Sequence, residues 1–572
     1  MPLAGGGVLK YDSVDVQAGS VELMREADVA KESQQSGSGT PRTMEVDVLI
    51  VGSGPAGSTF ARKLVEAGRS VYMVDTGARL SSRPGAHLKN AFLYQRNIDL
   101  FASVIRGHLH ELSVPTAGQP ELTLDPGAFR ADLKNHPGFT MNNQNPDQDP
   151  ATNLPGAAVT YAVGGMTTHW TCATPRQHPT MERSDIYSDE EWDRLYQESE
   201  KLLNTNSHEF DISIRHTIVR ETLANEYTDL PEGYKVNNLP LGVKRREDNP
   251  EFVHWSGTDT VLGPLAEGNQ DAEPFILKEE HRCNRLVPSR DGSRIEYAEI
   301  QNLAEWGTVR VKASTYIVCC NAYLTPQVLF ASGIRPDALG RYLTEQPMSF
   351  SQIVLKQEIV DSITDHPEFA DKVSEHRKQN PHDPVPIPRG DPEPQVWIPV
   401  SEDRPWHCQI HRDAFSYGDV EPHVDSRLIV DLRWFGIVEP HYEDRITFSD
   451  THQDTYGMPQ PTFEWVLNQE DRQKQHRMMK DMERAANALG GYLPRSEPQF
   501  VAPGLPIHVT GTTRMGTDEK DSVVDENSRV WGIENLYLGG NGLIPRGSAC
   551  NPTLTTLAYA VKAAEHINSG GS

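Results

Sequence analysis

The chain has 572 residues and a formal net charge of −26 at pH 7. This length exceeds what one simple hydrophobic core usually holds, so we expect two or more structural units. The absence of any run of about 18 apolar residues argues against a membrane span. The negative charge argues against nucleic acid as a partner, because phosphates require clustered cations.

The first 43 residues are rich in Gly, Ser and charge, which predicts a flexible tail over residues 1–43. They contain no basic region followed by an apolar stretch, so we expect no secretory signal and leave the compartment open. Six scattered cysteines without CxxC spacing predict neither a disulfide framework nor a metal site. They are Cys172, Cys283, Cys319, Cys320, Cys408 and Cys550.

The first ordered elements read as a βαβ unit. Val46–Val51 is a short apolar run suited to a buried parallel strand. A helix follows over about Pro55–Ala67, and a second buried strand, Val71–Val74, ends at Asp75.

The turn between this strand and helix fits the pattern GxGxxG with Gly52, Gly54 and Gly57. These glycines permit a tight turn, backbone approach to a pyrophosphate and close helix packing, and Asp75 is placed to bind ribose hydroxyls. The alternative is a structural turn with a surface carboxylate. Since strand, helix and acidic residue agree, we favour dinucleotide binding, and the position at the start of the ordered chain favours FAD over NAD.

Residues 107–157 are rich in Pro, Asn and Asp and predict an arm or long loop. The stretch GGMTTHWTC follows, with Gly164 and Gly165 forming a turn that lets the backbone approach a large ligand. His169 in this stretch is either a core histidine with satisfied hydrogen bonds or a nucleophile towards an activated cofactor carbon.

Later elements return to the nucleotide-binding pattern. Val309–Cys320 predicts a strand, Thr325–Ser332 a helix, Asn535–Leu538 a strand and Pro552–Ile567 a helix. The nucleotide-binding domain is therefore assembled from segments that lie far apart in the chain. The repeated prolines of 380–399 exclude a helix interior and predict a rigid connection.

Residues 407–418, HCQIHRDAFSYG, combine groups that suit a sugar. If the segment begins as a strand, Gln409, His411 and Asp413 share one face and can bind vicinal hydroxyls. Phe415 and Tyr417 can cover the apolar face of a sugar ring. The alternative is a polar edge strand that runs into a turn.

Two C-terminal residues suit alcohol oxidation, in which a proton must leave as the hydride does. His508 is suited to accept that proton, and the Asn551 amide can hold the same hydroxyl. The alternatives are that His508 packs in a strand and that Asn551 caps the following helix.

Together, these stretches resemble the pyranose 2-oxidase family of the glucose–methanol–choline (GMC) oxidoreductases, from about Met44 to the C-terminal helix. The resemblance implies an α/β fold with a Rossmann-like FAD-binding domain built from discontinuous segments, and a mixed α+β substrate-binding domain with a large sheet. The FAD-binding segments are 44–106, 158–210, 276–344 and 501–570, the arm is 107–157, and the substrate segments are 211–275 and 345–500.

The resemblance also implies residue roles. His169 corresponds to the residue that carries the flavin covalently, and Thr171 to a threonine near the flavin N5–C4a edge. His508 and Asn551 correspond to the His and Asn of the C-terminal signature. The sugar-facing residues, part of which belong to a mobile loop, correspond to Gln409, His411, Asp413, Phe415, Tyr417 and Arg433.

The implied reaction is oxidation of an aldopyranose such as D-glucose at C2, with O2 reduced to H2O2 or with quinones as acceptors. A homotetramer is implied by the family alone. The alternatives are a glycoside 3-oxidase or sugar dehydrogenase on the same scaffold and, from another class, a non-catalytic nucleotide-binding protein that leaves His508 and Asn551 idle.

Overall fold

The computed structural model describes residues 42–116, 143–305, 307–412, 420 and 424–570. All but residues 42 and 43 of the predicted tail lie outside these ranges, as does the middle of the predicted arm. Asp413, Phe415 and Tyr417 also lie outside the described residues.

The predicted βαβ unit forms from the strand Arg42–Val51, the helix Pro55–Glu66 and the strand Val71–Val74. The two strands pair in parallel, with Val48 beside Val71. The first strand begins before the predicted Val46, in a more exposed stretch that precedes its buried half.

Burial of this strand on both faces explains its continuous apolar run. Val48 and Ile50 belong to one core with Phe60 of the following helix. Leu49 and Val51 face the opposite core.

An eight-stranded sheet extends the unit, and its neighbours in space come from distant parts of the chain. This confirms the prediction that the nucleotide-binding sheet is discontinuous. The spatial order is Asp271–Ala272, Phe275–Lys278, Val71–Val74, Arg42–Val51, Thr308–Val318, Ile295–Asn302 and His281–Pro288, with Leu536–Leu538 paired to Thr308–Val318.

The second large sheet has seven strands. Each pairing within it is antiparallel. Its order is Gly490–Tyr492, Met348–Leu355, Ile429–Gly436, Trp406–His411, Gln395–Ile398 and Asn237–Asn238, with Gln499–Phe500 paired to Met348–Leu355.

Shorter sheets complete the strand inventory of the described residues. One has three strands and three have two strands each. They are Val253–Trp255 with Leu241–Arg245 and Thr205–Asn206; Arg445–Gln453 with Pro459–Glu464; His110–Glu111 with Ala158–Val159; and Val114–Pro115 with Gln144–Asn145.

The α-helices of the described residues are Pro55–Glu66, Phe92–Arg96, Ile98–His108, Asp189–Leu203, Ile214–Glu226, Thr258–Leu262, Asn321–Ala331, Gln357–Ser362, Ala370–Gln379, Gln469–Leu489 and Thr553–Asn568. None of them combines the length and apolar character needed to cross a bilayer. The proline-rich stretch 380–399 contains no helix, as predicted, and ends in the strand Gln395–Ile398.

One helix starts four residues before its predicted first residue, Thr325. The observed helix is Asn321–Ala331, because the Asn321 side chain accepts hydrogen bonds from the backbone N–H groups of Tyr323 and Leu324. An asparagine that satisfies these first donors favours the start of a helix at this position.

Candidate active site

A cleft is lined by residues of both large sheets. Its walls include the glycine turn, the GGMTTHWTC stretch, the strand Trp406–His411 and both C-terminal residues predicted to act on an alcohol. The predicted site residues that line it are Gly52, Gly54, Asp75, Gly165, Thr171, Gln409, Arg433, His508 and Asn551.

The three glycines of the turn have different surroundings. Gly52 has a φ of +99°, and a Cβ there would lie 2.4 Å from the Cys319 carbonyl oxygen. A Cβ on Gly57 would lie 2.0 Å from the Gly52 carbonyl oxygen, so this glycine permits close helix packing. Around Gly54 nothing lies within 4 Å of the Cβ position, which leaves open cleft where a side chain would project.

Ser53 joins the two glycine-rich turns. Its backbone N–H and hydroxyl both donate to the Asp75 carboxylate, at 2.8 and 2.6 Å. The Gly164 N–H donates to the same hydroxyl at 2.9 Å. Burial raises the pKa of Asp75, although these donors and the Gly77 N–H oppose the shift. Asp75 thus holds the turn as well as lining the cleft beside it.

The Gly164–Gly165 turn forms as predicted, with both residues at positive φ, and Gly165 begins the 3-10 turn Gly165–Thr168, which His169 follows directly. His169 is fully buried behind the cleft wall, and its Nε2 lies 2.9 Å from the Thr160 hydroxyl, which lines the cleft. Burial, together with His108, lowers the pKa of His169 to about 4, so the imidazole is neutral.

The hydrogen bonds around His508 define its tautomer. Gln346 Nε2 donates to the Cys550 carbonyl oxygen at 2.9 Å, which turns Gln346 Oε1 towards His508. This oxygen lies 2.8 Å from His508 Nδ1, so Nδ1 carries the proton. His508 Nε2 is therefore an acceptor with a lone pair.

Asn551 lies against that lone pair and links it to the strand Trp406–His411. Its Nδ2 donates to His508 Nε2 at 3.3 Å, and its Oδ1 accepts from Gln409 Nε2 at 2.6 Å. Gln409 Nε2 also lies 2.9 Å from His407 Nε2. Asn551 does not cap the following helix, because Pro552 is the cap residue and no side chain caps that end. The alternative of a capping role is wrong.

The electrostatics of this cluster favour a neutral base. Burial and the nearby Arg433 guanidinium lower the pKa of His508 to about 3. Burial and His508 lower the pKa of His407 to about 3 as well. Arg433 lies directly across from Gln409 on the neighbouring strand. The site therefore combines an unprotonated imidazole with a fixed positive charge.

The strand that carries Gln409 also carries His411 on the same face, as alternation predicts. His411 is buried and lies beside Asp431 of the neighbouring strand, away from the residues that line the cleft. Its predicted contact with sugar stays a prediction.

Comparisons with known proteins match this architecture. A family model described as GMC oxidoreductase matches residues 440–560, and an FAD binding domain model matches residues 45–143. A pyranose 2-oxidase of Emericella nidulans is 45% identical over 571 residues, with 92% of each chain covered. The chain belongs to the pyranose 2-oxidase family.

Two further proteins, which are not pyranose 2-oxidases, are similar to this chain in sequence or in fold. A C-glycoside 3-oxidase of Microbacterium trichothecenolyticum is 35% identical and covers 91% of this chain and 96% of its own. A crystal structure of formate oxidase shares the fold with a TM-score of 0.62 at 14% identity, covering 93% of this chain and 99% of its own. This member of the family is thus an FAD-binding GMC oxidoreductase.

Several residues of the site were not predicted. His407 shares the face of Gln409, and the alternation of the strand was enough to find it. The Phe435 ring lies 5.5 Å from the His508 ring and lines the cleft. Gln346 has no such signal, because its contact with His508 joins residues 162 positions apart.

Proposed function

We propose that this chain oxidises aldopyranoses such as D-glucose at C2, giving 2-keto sugars and H2O2, with quinones as alternative acceptors. The observation that carries the proposal is the lone pair of His508 Nε2. It meets the Asn551 amide in the same cleft as the dinucleotide turn. A non-catalytic nucleotide-binding protein has no use for this pair.

The residues of the cleft fit FAD. The open space beside Gly54 and the free N–H groups at the start of the helix Pro55–Glu66 suit a pyrophosphate. Asp75 lines the cleft next to that turn, where it would bind ribose hydroxyls. When bound, FAD supplies the two-electron acceptor for a hydride.

The protein side chains accept the hydroxyl proton and orient the sugar. His508 Nε2 takes the hydroxyl proton as the hydrogen on the same carbon leaves as hydride. Asn551 Nδ2 donates to the same oxygen and holds it against His508. Arg433 stabilises negative charge that develops during the transfer, and Gln409 holds a neighbouring hydroxyl.

The sugar-binding set includes Gln409, His411, Asp413, Phe415, Tyr417 and Arg433. We propose that the seven-stranded sheet belongs to the substrate segments and the eight-stranded sheet to the FAD-binding segments, except for its edge strand Asp271–Ala272 and Phe275, which fall in the substrate segment 211–275. A homotetramer belongs to the same proposal.

The test of the reaction is a sugar screen with O2 and benzoquinone as acceptors and product identification by ¹³C NMR. D-Glucose is expected to give the C2 ketone with stoichiometric H2O2 when O2 is used. Oxidation at C3 of glycosides, with no C2 product from free sugars, would favour the activity named for the 35% identical C-glycoside 3-oxidase.

Covalent attachment of FAD through His169 also belongs to the proposal. A neutral imidazole one hydrogen bond from the cleft wall at Thr160 supports it, as does the family resemblance that also assigns Thr171 to the flavin edge. Acid precipitation is expected to leave flavin absorbance in the protein pellet, and His169→Ala to release it. Flavin entirely in the supernatant of the unmutated protein would contradict the attachment.

A further inference from the structure

Glu182 is a buried carboxylate next to the loop that carries Asn551. It is 2% exposed. One oxygen, Oε1, accepts hydrogen bonds from the Ser548 hydroxyl at 3.0 Å, the Ala549 N–H at 2.7 Å and the Cys550 N–H at 2.9 Å. The other oxygen accepts the His178 N–H at 2.7 Å.

The four hydrogen-bond donors to the Glu182 carboxylate take the place of the basic side chain that usually pairs with a buried carboxylate. In the part of the chain that the structure describes, Glu182 forms no ion pair with Lys, Arg or His. Burial raises the pKa of Glu182, and the four donors oppose that shift. Three donors from consecutive residues form a concave anion site, which here holds a side chain of the same protein.

The Cys550 peptide is held on both sides. Its N–H donates to Glu182, and its carbonyl oxygen accepts from Gln346 Nε2. Gln346 Oε1 in turn fixes the His508 tautomer, and Asn551 follows Cys550 directly. The contacts of Glu182 therefore lead to both members of the proton-transfer pair.

We propose that Glu182 is a positioning residue for Asn551 and, through the Cys550 peptide and Gln346, for His508. This inference rests on the proposed function for its kinetic consequence. A carboxylate that held the loop for stability alone would affect folding without a specific link to Asn551.

Glu182→Gln is the main test. Gln keeps the shape but replaces one acceptor oxygen with an NH2 group, so at least one backbone N–H faces a second donor in either orientation. A misplacement near 1 Å costs on the order of 10²-fold in rate. Anaerobic flavin reduction by D-glucose should therefore slow by about 10- to 100-fold.

A matched control is Asp391→Asn. Asp391 is also buried and accepts from the Ser213 hydroxyl and the Ile214 and Arg215 N–H groups, but it does so at the start of another helix. Its variant should lower the melting temperature and keep the flavin reduction rate within about twofold of the unmutated enzyme, as expected for a site with no shared partners.

A double-mutant cycle separates positioning from general destabilisation. In an Asn551→Ala background, Glu182→Gln should slow flavin reduction by a clearly smaller factor than in the unmutated background, because only the path through the Cys550 peptide and Gln346 to His508 remains. Equal slowing in both backgrounds, or no slowing in either, would overturn the proposal. If Glu182→Gln does not fold, Ser548→Ala removes the hydroxyl that donates to Glu182 and accepts the Cys550 N–H, and its effect should likewise be smaller in the Asn551→Ala background.

A crystal structure of the FAD-loaded Glu182→Gln variant would show the positions of Asn551 and His508 and requires no sugar turnover. The Asn551 Nδ2 to His508 Nε2 distance, 3.3 Å here, should exceed hydrogen-bonding range in this variant but not in Asp391→Asn. An unchanged distance would overturn the proposal. If no sugar reduces the unmutated enzyme, the proposed function fails, and this structure still decides the role of Glu182.

Discussion

At the scale of single residues, the proposed chemistry depends on the protonation of one histidine. His508 has Nδ1 protonated by its contact with Gln346, and its pKa is lowered to about 3 by burial and Arg433. Both effects leave Nε2 ready to accept a proton at neutral pH. His508 and Asn551 were predicted from residue type and local pattern. The tautomer depends on Gln346, which no motif identifies, and the low pKa depends mainly on burial, which only the fold reveals.

The first residue prediction concerns pH. Because a lowered pKa keeps His508 unprotonated, the rate of flavin reduction by sugar should stay level from about pH 8 to about pH 5. A histidine with the ordinary pKa of 6.5 would lose about 30-fold over this range. Anaerobic stopped-flow at saturating sugar measures this, and an acid limb centred near pH 6.5 would show that His508 is not held neutral in this way.

The second prediction at the residue scale concerns Gln346. Gln346→Met keeps the approximate volume but removes the acceptor for His508 Nδ1–H, so the proton is free to occupy Nε2 and block the base. Flavin reduction should slow by on the order of 10²-fold, with FAD content unchanged. Gln346→Glu, which retains an acceptor, is the matched variant and should be less impaired. Equal impairment of both would show that tautomer control is not the function of Gln346.

At the scale of elements, local sequence patterns predicted the structure correctly wherever a residue periodicity or a turn determines it. The βαβ unit, the Gly164–Gly165 turn and the strand alternation that places Gln409 in the cleft are examples. The helix Asn321–Ala331 begins before the predicted Thr325 because the Asn321 side chain accepts hydrogen bonds from the backbone N–H groups of Tyr323 and Leu324. A local pattern also allowed a capping role for Asn551, but hydrogen bonds to Gln409 and His508, which lie far from it in the chain, hold its side chain instead.

The glycine turn yields a paired prediction at this scale. Gly57→Ala places a Cβ 2.0 Å from a backbone oxygen and should destabilise the protein by a few kcal/mol. Gly54→Ala has room in the cofactor-free protein and adopts extended backbone, so its stability should change by less than about 1 kcal/mol while FAD incorporation falls. Urea unfolding of the apoprotein and flavin content measure the two effects. Similar destabilisation by both substitutions would contradict the assignment of an open cofactor cradle to Gly54.

At the scale of the whole molecule, the site joins parts of the chain that no local pattern connects. Gln346 and Gln409 come from the segment 345–500, and His508 and Asn551 from the segment 501–570, and the hydrogen bonds among these segments span up to 204 residues. The family resemblance predicted the roles of three of these four residues. It did not predict Gln346 or Glu182, because neither lies in a motif that carries the resemblance.

Buried neutral histidines give a whole-molecule prediction. Burial lowers the pKa to about 4 for His169 and His216, and to about 3 for His407 and His508. Below about pH 6.5 these histidines bind protons in the unfolded chain but stay unprotonated in the folded chain. Above that pH these histidines do not reduce the free energy of unfolding. As the pH falls towards the lowered pKa values, the free energy of unfolding decreases by about 1.4 kcal/mol per pH unit for each histidine.

The midpoint of urea unfolding should therefore fall between about pH 6.5 and about pH 4.5. His216→Gln removes one of these groups outside the cleft, so its unfolding free energy should depend less steeply on pH than that of the unmutated protein. An identical pH dependence in the two proteins would mean that His216 is not held neutral by burial.

The central claim is that His508 removes the proton of a sugar hydroxyl while the hydride leaves, and anaerobic flavin reduction by D-glucose tests it most directly. The unmutated protein should lose its flavin absorbance rapidly, and His508→Ala should do so about 10²- to 10⁴-fold more slowly with its FAD content unchanged. Reduction of His508→Ala at a near-normal rate, or no reduction of the unmutated protein by any aldopyranose, would contradict the account.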